Sequence, residues 1–89
     1  MIFGMATYHQ FIESAMEHAQ YEKMESGEWF ASIPGLAGLW ASGPNVEVAR
    51  KDLLDALHGW IEVTIKTGSR VPAVGGISLY DDLQRVADD

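Results

Sequence analysis

The sequence predicts an α+β fold: an N-terminal helix, a three-stranded antiparallel meander, a long crossing helix and a short fourth strand. Three patterns indicate this order. Apolar residues recur at helical spacing over residues 7–19 and again over residues 46–64, whereas residues 29–33 alternate in the manner of a half-buried strand. Proline at position 34 and glycine at positions 35 and 38 then separate that strand from the next one.

The first helix is expected to begin at Thr7. Thr7 and Gln10 have the spacing of a capping box, in which the threonine hydroxyl accepts from a backbone N–H and the amide side chain reaches back. The residues that follow form one apolar stripe: Tyr8, Phe11, Ile12, Ala15, Met16 and Ala19. We interpret residues 1–89 as one domain, in which residues 1–18 are a helical extension, residues 19–80 the core and residues 81–89 an acidic tail.

Residues 20–41 are interpreted as the meander. A loop that contains Gly27 joins the first two strands. On the second strand, alternation places Phe30 on the face opposite to the core residues, which are Trp29, Ala31 and Ile33. Pro34 has no N–H to donate to a strand ladder, so we expect the second strand to end there and the third to follow at residues 39–41.

The second helix is expected to begin after Asn45, a favourable N-cap residue, and to end near residue 66 or 67, before Gly68. Gly59 lies inside this helix, and we interpret it as a place where a neighbouring element comes close. Residues 74–80 are expected to form a short last strand that Gly75 and Gly76 interrupt.

Composition restricts the classes of function. The chain has no cysteine, which excludes a disulfide framework and a thiolate metal site. It has no apolar run long enough to span a membrane and no signal-like N-terminus, so the cytoplasm is the expected compartment. Its 13 acidic and 6 basic residues give a formal charge of -7, which disfavours direct nucleic-acid binding and favours a basic protein partner.

The titratable residues do not indicate catalysis. His9 with Glu13, and His18 with Glu22, have the i, i+4 spacing that could begin a metal or acid–base site, but such pairs are common on solvated helix faces. There is neither a serine-nucleophile motif nor a phosphate-binding lysine. We therefore expect no enzyme activity, no cofactor and no metal. A small hydrolase that uses Glu22 and a histidine is the minor alternative.

The aromatic residues point instead to an interface. Three tryptophans in 89 residues exceed what one small core encloses, and Phe30 is expected to face away from that core. Either the first helix covers Phe30, or a partner or second copy does. The candidate interface residues are Glu25, Glu28, Phe30, Trp40 and His58. A homo-oligomer is expected.

The stretch from Gly27 onwards resembles the HicB-like antitoxin domain. The family pattern is Gly-x-aromatic, then an aromatic or aliphatic residue before Pro-x-Leu-x-Gly, and later a glycine ahead of a helix that opens with Glu and Ala. Nine residues match it: Gly27, Phe30, Ile33, Pro34, Leu36, Gly38, Gly43, Glu47 and Ala49. The resemblance covers residues 21–72, and in the first turn of the helix Val48 stands where the family has glutamate.

This resemblance implies a partial ribonuclease H-type fold without the catalytic carboxylates. It also implies a function, which is to bind and neutralise a small basic toxin of the HicA type that cleaves mRNA. Because the sequence after Gly76 is too short for a DNA-binding module, we expect a stand-alone antitoxin domain. The alternative is an orphan, self-associating interaction domain that has no toxin partner.

Overall fold

The computed structural model describes residues 3–79, with side chains from Thr7 onwards. Helix α1 spans Phe3–Glu17, and strands β1 (Gln20–Lys23), β2 (Trp29–Ser32) and β3 (Trp40–Gly43) follow it. Helix α2 spans Val46–Lys66. The strands form an antiparallel sheet in the order β1-β2-β3. The predicted α+β architecture is therefore confirmed.

Helix α1 begins earlier than the capping box predicts. It starts at Phe3, so that Thr7 lies within the helix and is buried. The predicted apolar stripe is present, because Phe11 and Ala15 are fully buried and Ile12 is nearly so. These three residues share one core with the sheet and α2, and the helix is therefore an integral layer of the fold.

Two tight turns connect β2 to β3. The Leu36 N–H donates to the Ile33 carbonyl across Pro34 and Gly35, and Gly35 has φ +92°. Proline followed by a residue with positive φ is the arrangement that a type II turn requires. A second turn returns the chain to β3, and the Trp60 indole of α2 donates to the Ala37 carbonyl at 3.0 Å. This hydrogen bond holds the connection against the long helix.

Both ends of α2 agree with the sequence prediction. The Asn45 side chain accepts from the Val48 N–H at 2.8 Å, as an N-cap residue does. At the other end Gly68 has φ +82°, and the N–H groups of Gly68 and Ser69 donate to the carbonyls of Ile65 and Thr64. This pair of hydrogen bonds is a Schellman motif, which ends the helix where the glycine allows a left-handed residue.

A fourth strand does not form among the described residues, because the backbone turns back on itself after Val74. Val74 and Ile77 exchange two backbone hydrogen bonds of 3.0 Å across Gly75 and Gly76, which both have positive φ. Two successive residues with positive φ make a hairpin turn and not an extended strand. The end of the predicted strand and the predicted acidic tail, residues 80–89, lie outside the described residues.

No helix within residues 3–79 has both the length and the apolar character needed to cross a membrane.

The core lies between one face of the sheet and the two helices. Ala31 and Ala41 are paired across β2 and β3, and both are buried under α2. The helix meets them with four buried residues at helical spacing: Ala49, Leu53, Leu57 and Ile61. Because side chains alternate along a strand, the residues between these positions point to the other face of the sheet.

Two glycines give opposite predictions for alanine substitution. A Cβ at Gly43 would lie 2.8 Å from the Val48 Cγ1 and 2.9 Å from the backbone nitrogen of Ala49, which donates the first hydrogen bond of α2. We expect Gly43→Ala to destabilise the fold by about 1–3 kcal/mol, since the start of the helix must move. The readout is the midpoint of urea unfolding.

Gly59 supplies the matched control. A Cβ there meets no atom within 4 Å, so the expectation of a close neighbouring element is wrong. Alanine has the higher helix propensity, and Gly59→Ala is expected to stabilise the fold by about 0.5–1 kcal/mol. If both substitutions lowered the midpoint equally, the close contact at Gly43 would not be the cause.

Candidate functional site

The face of the sheet that the helices leave uncovered carries a pair of stacked aromatic rings. Phe30 on β2 pairs with Ser42 on β3, and Trp40 pairs with Ser32, so the two rings lie diagonally on adjacent strands. Their centroids are 5.7 Å apart and their planes differ by 21°. Offset stacking at this distance is a favourable aromatic geometry.

Trp40 is 58% exposed and Phe30 is partly buried. Helix α1 does not cover them, because its Phe11 and Ala15 belong to the core on the opposite face of the sheet, and that core includes neither Phe30 nor Trp40. The alternative in which the first helix shields Phe30 is therefore wrong. The aromatic pair instead forms an exposed apolar centre on an otherwise polar face.

The β1–β2 hairpin borders this aromatic pair. The Met24 N–H donates to the Glu28 carbonyl at 2.7 Å, and Gly27, at φ +95°, closes the turn by donating to the Met24 carbonyl. A shallow depression of about 550 Å³ lies between the hairpin and Phe30, and its lining comprises Glu22, Lys23, Met24, Glu25, Ser26 and Phe30. The predicted interface residue Glu25 therefore lies beside Phe30, and Glu28 lies in the same loop, one residue before β2.

Met24 was not among the predicted interface residues, although it is 47% exposed beside this depression. An apolar residue at the end of a strand, next to a polar loop, is the only signal in the sequence that could have identified it. Its flexible thioether adds apolar surface that adapts to a partner. We call the surface made by Met24, Phe30, Trp40 and the acidic residues of the hairpin the aromatic face.

His58 is not part of the aromatic face. It lies on α2, and its Nδ1 is hydrogen bonded to the hydroxyl of Tyr8 on α1 at 2.6 Å. The two rings also touch, with centroids 5.5 Å apart. Here His58 joins the two helices of one chain.

His18 donates through Nδ1 to the Ser14 carbonyl at 2.8 Å, and the Ser14 hydroxyl in turn donates to the Val74 carbonyl at 2.7 Å.

The pairs His9 with Glu13 and His18 with Glu22 do not develop into a metal site in the described part of the chain. Within residues 3–79, no three histidine, aspartate or glutamate side chains come close enough together to hold an ion.

The surroundings of the Tyr8 phenol lead to a prediction for the stability of the fold at alkaline pH. Burial raises the pKa of the Tyr8 phenol above its ordinary value of 10.0, and the Glu62 carboxylate raises this pKa further. The folded state therefore holds the phenol proton more tightly than the unfolded chain does. The resulting stabilisation is complete below pH 10 and is lost as the pH rises through the higher, folded-state pKa.

We therefore expect Tyr8→Phe to reduce the loss of stability between pH 9 and pH 11, because phenylalanine has no proton to lose. Urea unfolding of both chains across this range measures the effect, and Tyr21→Phe is the control for a tyrosine outside this contact. If the free energy of unfolding fell equally steeply with pH in the Tyr8→Phe and wild-type chains, ionisation of Tyr8 would not be the cause of the loss.

The structure thus defines a small α+β domain whose sheet is covered by helices on one face and presents an aromatic pair on the other. The family model described as UPF0150-like matches residues 10–72. The chain belongs to the UPF0150-like family. The match includes both strands of the aromatic face and all of α2.

A solved structure has a similar fold. The chain is similar to TTHA0281 from Thermus thermophilus, whose crystal structure it matches with a TM-score of 0.75 at 30% sequence identity. The match covers 81% of this chain and 90% of that one. A comparison with curated proteins finds no match.

Proposed function

We propose that this chain is a HicB-type antitoxin, a protein-binding domain without catalytic activity that neutralises a small basic toxin of the HicA type. The observation that carries the proposal is the exposed, stacked Phe30–Trp40 pair beside an acidic hairpin. Membership of the UPF0150-like family and the resemblance of residues 21–72 to the HicB-like domain both support it.

The aromatic pair has the properties of a binding anchor. Tryptophan is enriched among the residues that carry most of the energy of protein interfaces, and such residues lie at the centre of the contact. Trp40 projects from a rigid strand, and its contact with Phe30 orients the ring before a partner arrives. Less side-chain freedom is then lost on binding, which strengthens the complex.

The charge of the hairpin favours a basic partner. Glu22, Glu25 and Glu28 outnumber Lys23 on and around it, and the whole chain has a formal charge of -7. Complementary charge at the rim of an interface accelerates encounter and aligns the partners, while the apolar centre supplies most of the affinity. We infer that the aromatic face covers the basic, RNA-binding surface of the toxin and blocks its access to mRNA. The cytoplasm is the compartment that this function requires.

Co-expression with a small basic protein of the HicA type, sought among the products of neighbouring genes, tests the proposal. We expect this chain to restore the growth that the toxin stops, and to co-purify with a toxin variant that lacks its catalytic histidine. If the two proteins neither form a complex nor restore growth, the chain is not an antitoxin for that protein.

A second candidate function rests on the same exposed pair. The chain could be an orphan domain that self-associates by stacking Phe30 and Trp40 against those of a second copy. Sedimentation equilibrium of the wild-type and Phe30→Asp chains separates the candidates. If the Phe30→Asp substitution dissociates an oligomer, the orphan domain is favoured. If both chains associate equally, the aromatic face does not mediate self-association and stays available to bind a toxin.

A further inference from the structure

A second surface, away from the aromatic face, has the features of an interface. It is an open groove of about 700 Å³ between α1, β1 and α2. Its floor is formed by half-buried or nearly buried apolar side chains from all three elements: Ile12, Met16, Tyr21, Val46 and Leu54. We call this surface the helical groove.

The rim of the helical groove carries opposite charges on its two sides. Glu13 and Glu17 border it on α1, and Arg50 borders it on α2. All three side chains are exposed, and within residues 3–79 the ion pair that forms is a different one, between Lys66 and Glu62. The rim charges therefore lack an ionic partner in the described part of the chain.

We propose that the helical groove is the contact between two copies of this chain, related by a two-fold axis. In a two-fold contact the same patch meets itself, and each residue pair occurs twice. A rotation that lays α1 of one copy along α2 of the other brings Glu13 and Glu17 against Arg50 of the second copy, and the reverse contact forms at the same time. Between these charge pairs the two grooves face each other, so that both apolar floors line one shared interior.

The charge pattern favours a second copy over a basic protein. A basic partner would match the two glutamates and would repel Arg50, whereas a second copy presents the opposite charge at every position of the rim. The apolar floor is only half-buried in a single copy of this 89-residue domain, and the dimer would shield it from bulk water. This inference does not depend on the proposed toxin partner, and the dimer would keep both of its aromatic faces free.

Charge reversal tests the proposal by sedimentation equilibrium at physiological ionic strength, where salt screens the long-range repulsion between two copies of charge -7. The wild-type chain is expected to dimerise. The Arg50→Glu variant places negative charges opposite each other at both rim contacts of the dimer. The Glu13→Lys/Glu17→Lys variant places positive charges opposite each other there. Dimerisation should weaken about tenfold or more in each of these variants. An equimolar mixture of these two chains should associate again, because every charge contact of the mixed dimer joins opposite signs.

Lys51→Glu is the matched control, since it changes the net charge as Arg50→Glu does but at an exposed residue of α2 outside the groove lining. It should dimerise like the wild-type chain, and so should Phe30→Asp. Circular dichroism verifies that each variant is folded. A wild-type chain that stays monomeric, a mixture that fails to associate, or an equal loss in Lys51→Glu would overturn the proposal.

Discussion

A Trp40→Ala chain is expected to bind a HicA-type toxin at least about 30-fold more weakly than the wild-type chain. Truncation of a central tryptophan anchor typically removes about 2 kcal/mol or more of binding free energy, which corresponds to this factor. The fold should be unaffected, because Trp40 is exposed and lies outside the buried core. Calorimetric titration of the purified toxin variant measures the affinity, and urea unfolding measures the stability.

Val63→Ala is the matched control for this prediction. Val63 is 60% exposed, close to the 58% of Trp40, but it lies on α2, on the other side of the sheet. Its truncation should change the affinity by less than about twofold, since it removes no contact of the aromatic face. Equal affinity for the wild-type and Trp40→Ala chains would exclude the aromatic face as the toxin-binding surface.

Local signals in the sequence were sufficient for the elements that backbone chemistry determines. Asn45 caps α2, Gly68 ends it, and Pro34 with Gly35 closes a tight turn, as expected. Each of these residues acts within a few positions of itself, through its own φ angle or its own side-chain acceptor. Such features follow from sequence spacing because no distant element takes part in them.

The start of α1 and the end of the domain depend on more than local chemistry. The capping pattern at Thr7 predicts a helix start, but Thr7 is buried within a helix that begins four residues earlier. After α2, Gly75 and Gly76 both adopt positive φ and form a turn where a strand was expected. In both segments the capping residues or the glycines are present in the sequence, but packing against the rest of the fold determines which local structure they form.

The two interaction surfaces differ in how far sequence could identify them. Strand alternation alone assigns Phe30 to the face away from the core. Its contact with Trp40 depends on the register between β2 and β3, which the sequence does not state. The helical groove does not follow from the sequence, because Met16 belongs to the regular apolar stripe of α1 and Leu54 lies directly beside that of α2. Their incomplete burial is determined by how three separate elements pack.

Leu57 is one of the four largest fully buried side chains of the described chain, together with Phe11, Leu53 and Val71. A Leu57→Ala substitution is expected to lower the free energy of unfolding by about 2–5 kcal/mol, through the lost burial and the cavity that remains. Leu57 is fully buried on α2, in the same core as Phe11 of α1 and Ala31 of the sheet. Small domains have total stabilities of roughly 5–15 kcal/mol, so this single change removes a large share.

Urea unfolding followed by tryptophan fluorescence measures the change in stability, with Leu54→Ala as the control on the same helix. Leu54 is only half-buried and lines the helical groove, so its truncation leaves an open surface and no closed cavity. We expect it to cost less than half as much as Leu57→Ala. If the two variants were equally destabilised in the monomeric state, Leu54 would be packed as tightly as the core, and the helical groove would not be the open surface that the proposed dimer requires.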